Sequence, residues 1–271
     1  MPLLNGKIIA AQIRSSLKDF ISHLPKKPGL AVILVGADPA SHLYVSLKEK
    51  TCLEVGIKFE KFLFSDSVSE DELIKKIKEL NIKKNINGIL VQLPLPWQDT
   101  DKIIAAIDPK KDVDGFHSEN LRRLEAGEPC LVSPVVLGVM RLIKETREPL
   151  TGKKTALVMS EIFARPFRAV LERAGVTVEV VSSDDPTLIE KTKDRDILIT
   201  AVGQPNLITG EMVKAGATVI DIGTSRMDDK VVGDVDQTSV EPKAGWLTPV
   251  PGGVGPMTVA MLLQNVLAAS N

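Results

Sequence analysis

Two rhythms of apolar residues alternate along the first half of the chain. Residues 7–24, KIIAAQIRSSLKDFISHL, carry them on one face of a helix, while residues 29–36, GLAVILVG, form a short β-branched run ended by glycine. Residues 38–57, DPASHLYVSLKEKTCLEVGI, open with the turn pair Asp38-Pro39 and continue as a helix to Gly56. Another helix is predicted from Ser69, because Glu72 follows three residues later in the pattern of a capping box. INGILVQLPLP, residues 86–96, reads as a buried strand stopped by Pro94 and Pro96. Strands and helices in alternation predict parallel pairing with helices on the faces.

The rhythm restarts near residue 130. SPVVLGVMRLIKET, residues 133–146, predicts a helix, and REPLTGKK after it a polar connection. Five strand candidates follow: TALVM (155–159), TVEVV (177–181), DILITAV (196–202), TVIDIG (218–223) and WLTPV (246–250). Helices separate several of them, among them RPFRAVLERAG with Gly175 as its stop. Units of about 30 residues of this kind describe a doubly wound sheet. The final segment, PMTVAMLLQNVLAAS, is an apolar-faced helix expected to return to the first lobe. The predicted fold is α/β and two-lobed. Residues 1–132 with 255–271 make an α/β domain, and residues 133–254 a Rossmann-type doubly wound parallel sheet.

Charge narrows the choice of partner. With 34 basic and 35 acidic residues among 271, the net charge of −1 provides no field to draw the chain to nucleic acid or acidic lipid. The basic stretch IKKIKELNIKK (74–84) has apolar residues at helical spacing and reads as a solvated helix face. Cys52 and Cys130 stand far apart without CxxC or Cys/His spacing, which argues against a disulfide framework or a zinc site. No signal-peptide core and no apolar run of about 18 residues is present. A soluble cytoplasmic protein without resident metal, acting on a small molecule, is expected.

Four stretches hold candidate chemistry. Tyr44 and Lys48, four apart on a helix, share one face, where a ring can stack on a flat ligand beside a lysine able to lose its proton when desolvated. A surface lysine covering an aromatic neighbour is the plain alternative. Gln92 is a lone amide at the end of an apolar strand, where α/β folds present ligand crevices; it could equally cap a loop. In DPKKDVDGFH (108–117), a carboxylate could accept hydrogen bonds from a heterocycle, while Asp112 also suits a side-chain-stabilised turn. TPVPGGVGPMTVAML (248–262) packs glycine and proline ahead of a helix, and its Pro251, Gly252 and Gly253 suit a ligand loop.

Together these stretches resemble the bifunctional methylenetetrahydrofolate dehydrogenase/methenyltetrahydrofolate cyclohydrolase family. YVSLKEKTCLEVGI, GILVQLPLP, IDPKKDVDGFH, VIDIGTSR, KVVGDVD and TPVPGGVGPMTVAML occur in family order over nearly the whole chain. The resemblance implies a homodimeric enzyme with tetrahydrofolate substrates and NADP as cofactor, NAD being the alternative. It implies Lys48 as the essential lysine, Tyr44 as the folate-stacking ring, Gln92 as the amide that positions the lysine and Asp114 as the carboxylate that grips the pterin. Pro251, Gly252 and Gly253 are implied in substrate binding. Val158, Met159, Ser160, Arg165, Ser183 and Thr224 fall in the cofactor region.

The cofactor turn departs from the family pattern. Where the family has roughly G-R/A-S-x-x-x-G-x-P, this chain has V-M-S-E-I-F-A-R-P, with Val158 and Ala164 in the glycine places and Met159 where an arginine often grips a 2′-phosphate. SSDDP (182–186) keeps only Ser183 of the family's H-S-x-T, and Asp184 and Asp185 would repel a 2′-phosphate. Weak cofactor binding is expected, and restoring glycine at 158 and 164 is expected to improve it. Three readings stay open: a bifunctional enzyme, a cyclohydrolase alone, and a folate-binding subunit without turnover.

Overall fold

The computed structural model describes residues 3–228 and 230–270, which form two compact units. The unit spanning Ala11–Pro134 and the described residues from Val259 on carries most of α1 (Gly6–Ser22), then β1 (Gly29–Val35), α2 (Pro39–Val55), β2 (Lys58–Phe64), α3 (Glu70–Ile82), β3 (Gly88–Val91), α4 (Thr100–Ile104) and α5 (Ser118–Ala126). Its sheet is parallel throughout, in the order β2-β1-β3. β1 and β3 are buried on both faces, which is why they read as unbroken apolar runs. One face packs on Leu73, Ile77 and Leu80 of α3; the other packs on Val45, Cys52 and Val55 of α2 together with Leu262, Leu263 and Val266 from the end of the chain.

Capping explains where α2 and α3 begin. Asp38 accepts a hydrogen bond from the Ser41 N–H at 2.8 Å, Pro39 takes the first turn, and Gly56 in left-handed geometry closes α2. The Ser69 hydroxyl accepts from the Glu72 N–H at 3.2 Å, so the side-chain half of the predicted box is formed.

The second unit holds the described residues up to Ala10 and Val135–Thr258. After α6 (Pro134–Glu145) come β4 (Lys154–Met159), α7 (Glu161–Arg173), β5 (Thr177–Val181), α8 (Leu188–Thr192), β6 (Ile197–Ala201) and β7 (Thr218–Asp221). The short β8 (Ser225–Met227), β9 (Lys230–Val232), α9 (Gln237–Val240) and β10 (Trp246–Leu247) precede α10 (Val254–Ala268). The five-stranded sheet is parallel, ordered β10-β7-β6-β4-β5, with the reversal at β4 and β6 that makes a doubly wound crevice.

Two features differ from the sequence expectation. The first residues, assigned to the first lobe, pack in this second unit: Leu4 N–H bonds the Leu247 carbonyl at 2.9 Å, and Lys7 N–H bonds that of Gly252 at 2.9 Å. An amphipathic helix pattern says which face is apolar, not which core receives it. Second, β8 and β9 form an antiparallel ribbon that the apolar pattern does not announce, since strands of three residues hold too few alternations.

Candidate active site

Helix α2 sets up a burial gradient. Tyr44, Lys48 and Cys52 follow one another at intervals of four and so share a face. Tyr44 is 45 % exposed, Lys48 is half-buried, and Cys52 is fully buried. The lysine thus has its stem in the core and its ammonium at the edge of water. Burial lowers its pKa from the ordinary value, the attraction of Asp114 opposing that shift in part. The same burial pushes the Cys52 thiol up to about 12, which makes it an inert apolar filler.

Strand β3 delivers the partner. Its ladder runs one residue past Val91, where Gln92 N–H bonds the Ile33 carbonyl at 2.9 Å. The Gln92 Nε2 donates to the Leu93 carbonyl at 2.7 Å, which turns the amide oxygen towards the lysine. Lys48 Nζ donates to that oxygen at 2.8 Å. A neutral acceptor holds the ammonium in place without adding a charge to it.

The loop after α4 supplies the carboxylate. Asp112 is almost wholly buried and accepts from the N–H groups of Gly115 (3.1 Å) and His117 (2.8 Å) and from Asn120 Nδ2 (3.0 Å). Gly115 has φ +71°, and a Cβ there would lie 2.5 Å from the Ser133 nitrogen, so only glycine fits this turn. Asp112 is therefore the stabiliser of the turn, and Asp114 is the carboxylate it presents. Burial raises the Asp114 carboxyl to about 6, against the pull of Lys48 and with a push from Asp112. His117 caps α5, its Nδ1 accepting from the Glu119 N–H at 3.0 Å. Lys48 thus bonds Gln92 and lies within electrostatic reach of Asp114, and Tyr44 stands one turn away on the same face of α2.

The Pro251-Gly252-Gly253 loop belongs to the second unit. A Cβ on Gly253 would lie 2.6 Å from the Pro249 carbonyl oxygen, and one on Gly6 only 1.8 Å from the Gly253 oxygen. The start of α1 is thus pressed onto this loop, and packing alone accounts for Gly253.

A cleft of about 640 Å³ opens where β4, β6 and β7 end, bounded by Met159, Ser160, Ser183 and Thr224 among the expected cofactor residues. Ser160 caps α7, its hydroxyl accepting from the Phe163 N–H at 3.3 Å. Arg165 lies on α7 outside the lining. Val158 is fully buried among Val181, Leu198 and Val219, facing the core rather than the cleft. Its side chain obstructs nothing, so the expected benefit of a glycine at 158 does not follow from this geometry. Ala164 is likewise buried, one turn into α7.

Two carboxylates missed in the sequence hold the cleft wall from behind. Asp234, fully buried, accepts from Thr200 Oγ1 (3.0 Å) and from the N–H groups of Val202 (2.7 Å), Gly203 (2.9 Å) and Gln204 (3.0 Å). Asp221 accepts from the N–H groups of Gly223 (2.9 Å), Asp234 (3.1 Å) and Val235 (2.9 Å). Burial pushes the Asp221 carboxyl up to about 6, these donors opposing it. The available signal was an aspartate at each of two apolar strand ends, in VIDIG and KVVGDVD, where an unpaired charge would be costly.

A parallel-sheet unit bearing a desolvated lysine and a second, doubly wound unit with a strand-end cleft define a two-domain α/β enzyme class. The chain belongs to the tetrahydrofolate dehydrogenase/cyclohydrolase family: the model of its catalytic domain matches residues 4–114, and that of its NAD(P)-binding domain matches residues 133–271. It is similar to the bifunctional protein FolD of Nautilia profundicola, 48 % identical over 276 residues that cover 100 % of this chain and 97 % of the relative. The crystal structure of the bifunctional enzyme FolD from Campylobacter jejuni superposes with a TM-score of 0.96 at 42 % identity, covering 100 % and 98 % of the two chains. The FolD structure from Trypanosoma brucei, complexed with NADP cofactor and inhibitor, superposes at 0.95 with 31 % identity and the same coverage. Among the described residues no helix is long and apolar enough to cross a membrane.

Proposed function

We propose that this chain interconverts 5,10-methylenetetrahydrofolate, 5,10-methenyltetrahydrofolate and 10-formyltetrahydrofolate, by dinucleotide-dependent dehydrogenation and by hydrolytic ring opening. The observation that carries the reading is the 2.8 Å bond from Lys48 Nζ to an amide oxygen, in a setting that lowers the lysine pKa. In its neutral form Lys48 takes a proton from the water that adds to the methenyl carbon. The same group then returns a proton to N5 as the C–N5 bond breaks, the hydroxyl proton leaves to solvent as the C=O forms, and the formyl group stays on N10. Gln92 keeps the amine aimed, and Asp114 anchors the pterin by accepting its N–H groups. Tyr44 provides the stacking face, which holds the substrate in register and removes part of the entropic barrier.

The cleft of the second unit suits a nicotinamide dinucleotide in size and in its place at strand ends beside a helix N-terminus. When bound, that cofactor supplies the hydride acceptor. Ser160, Ser183 and Thr224 would hold it, and the wall tied to Asp234 would shape its seat. A cytoplasmic homodimer fits the same reading; light scattering tests the assembly. The function is tested by absorbance: loss of methenyltetrahydrofolate reports hydration, and gain of reduced nicotinamide reports dehydrogenation. Hydration without reduction leaves a cyclohydrolase alone, and bound folate with neither signal leaves a binding subunit.

A further inference from the structure

We propose that the dinucleotide cleft accepts NAD as readily as NADP, with Asp184 as the residue that reads the adenosine ribose. The inference rests on the dehydrogenase reading of this cleft and deepens it. β5 is the second strand of the doubly wound sheet and pairs directly with β4. In such sheets a carboxylate about 20 residues past the first turn bonds the ribose hydroxyls of NAD, whereas a cation there accommodates a 2′-phosphate.

Here the carboxyl end of β5 runs into Ser182 and Ser183, both lining the cleft. The Ser182 hydroxyl donates to Asp184, so the exposed Asp184 carboxylate is fixed against a cleft-lining atom. Met159, at the end of the neighbouring strand β4, also lines the cleft, and no described residue lining the cleft is lysine or arginine. Two cations on the flanking helices α8 and α7 are already engaged. Lys191 bonds Asp185 at 2.6 Å, and Arg168 bonds Glu161, in the first turn of α7, at 2.7 Å. Asp185 itself is spent on Lys191 and Thr187, which hold its carboxyl at about 2. A 2′-phosphate, nearly doubly charged at neutral pH, would meet a carboxylate where no described lining residue is lysine or arginine. A free ribose diol would instead find an acceptor.

The test is steady-state dehydrogenation with each dinucleotide, on the native chain and on Asp184→Ser, with hydration followed as a control for folding. The expected kcat/KM for NAD lies within about tenfold of that for NADP, or above it. In Asp184→Ser the ratio should move about tenfold towards NADP while hydration stays unchanged, tenfold being one decade of binding constant. Native preference for NADP beyond about a hundredfold would overturn the proposal, as would an unchanged ratio in the variant. Should neither dinucleotide be reduced, the dehydrogenase reading fails by itself. Calorimetric titration of oxidised NAD and NADP then decides, and tighter NADP binding by that same hundredfold, or binding of neither, overturns the proposal.

Discussion

The lysine site and the dinucleotide cleft both lie at the carboxyl ends of parallel strands, yet they are assembled from different material. Lys48, Gln92 and Asp114 act through their side chains, each brought forward by its own element and each shifted or aimed by another. The cleft is shaped chiefly by backbone loops, which Asp221 and Asp234 anchor from beneath the surface. A substitution in the first site is expected to remove chemistry and spare the architecture. In the second, side chains such as Met159 line loops whose backbone the buried carboxylates hold, so substitution of an anchor is expected to cost more than substitution of a lining residue.

Lys48→Met should give the largest effect, a loss of hydration of about a thousandfold, the scale of a lost general acid–base group. The apolar stem fills the same space, so thermal unfolding should be little changed. Asp234→Ala attacks the cleft from behind. Four donors lose their acceptor, and a loss of about 3 kcal/mol in stability is expected, read by thermal unfolding. Dinucleotide KM should rise about tenfold as the wall relaxes, the size of one lost hydrogen-bonded contact. Val158→Gly separates core from cleft: it should cost about 2 kcal/mol by opening a void beside Val181 and Leu198, with no gain in dinucleotide affinity.

The smallest effect is one of pH. The folded Asp114 carboxyl titrates at about 6, above the ordinary 3.8. Its anchoring of the pterin is complete above that value and fades as pH falls through it, so folate KM should rise below pH 6. Asp114→Asn should show no such rise. Stability runs the other way, because the folded state binds this proton more tightly than the unfolded chain. The contribution is fully present below 3.8 and lost as pH rises through about 6.

This division also explains what the chain discloses before folding. Apolar runs such as GLAVILV, and caps such as Asp38-Pro39 and Ser69, act locally, so β1, α2 and α3 lie where the pattern puts them. The shared face of Tyr44 and Lys48 was legible because a helix enforces their spacing, and the strand-end place of Gln92 because an amide interrupts an apolar run. The cleft anchors were not, since the donors of Asp234 are backbone groups of residues 202–204, which carry no side-chain mark. Val158 misled for a related reason. Its place in a motif suggested a ligand contact, and only the three-dimensional packing shows it turned to the core.

The most direct test measures hydration and dinucleotide binding side by side in Lys48→Met and Asp234→Ala. Hydration should vanish in the first variant with dinucleotide affinity intact, and affinity should fall in the second with hydration intact. If Lys48→Met hydrates methenyltetrahydrofolate at the native rate, the lysine is not the proton-handling group and the account is contradicted.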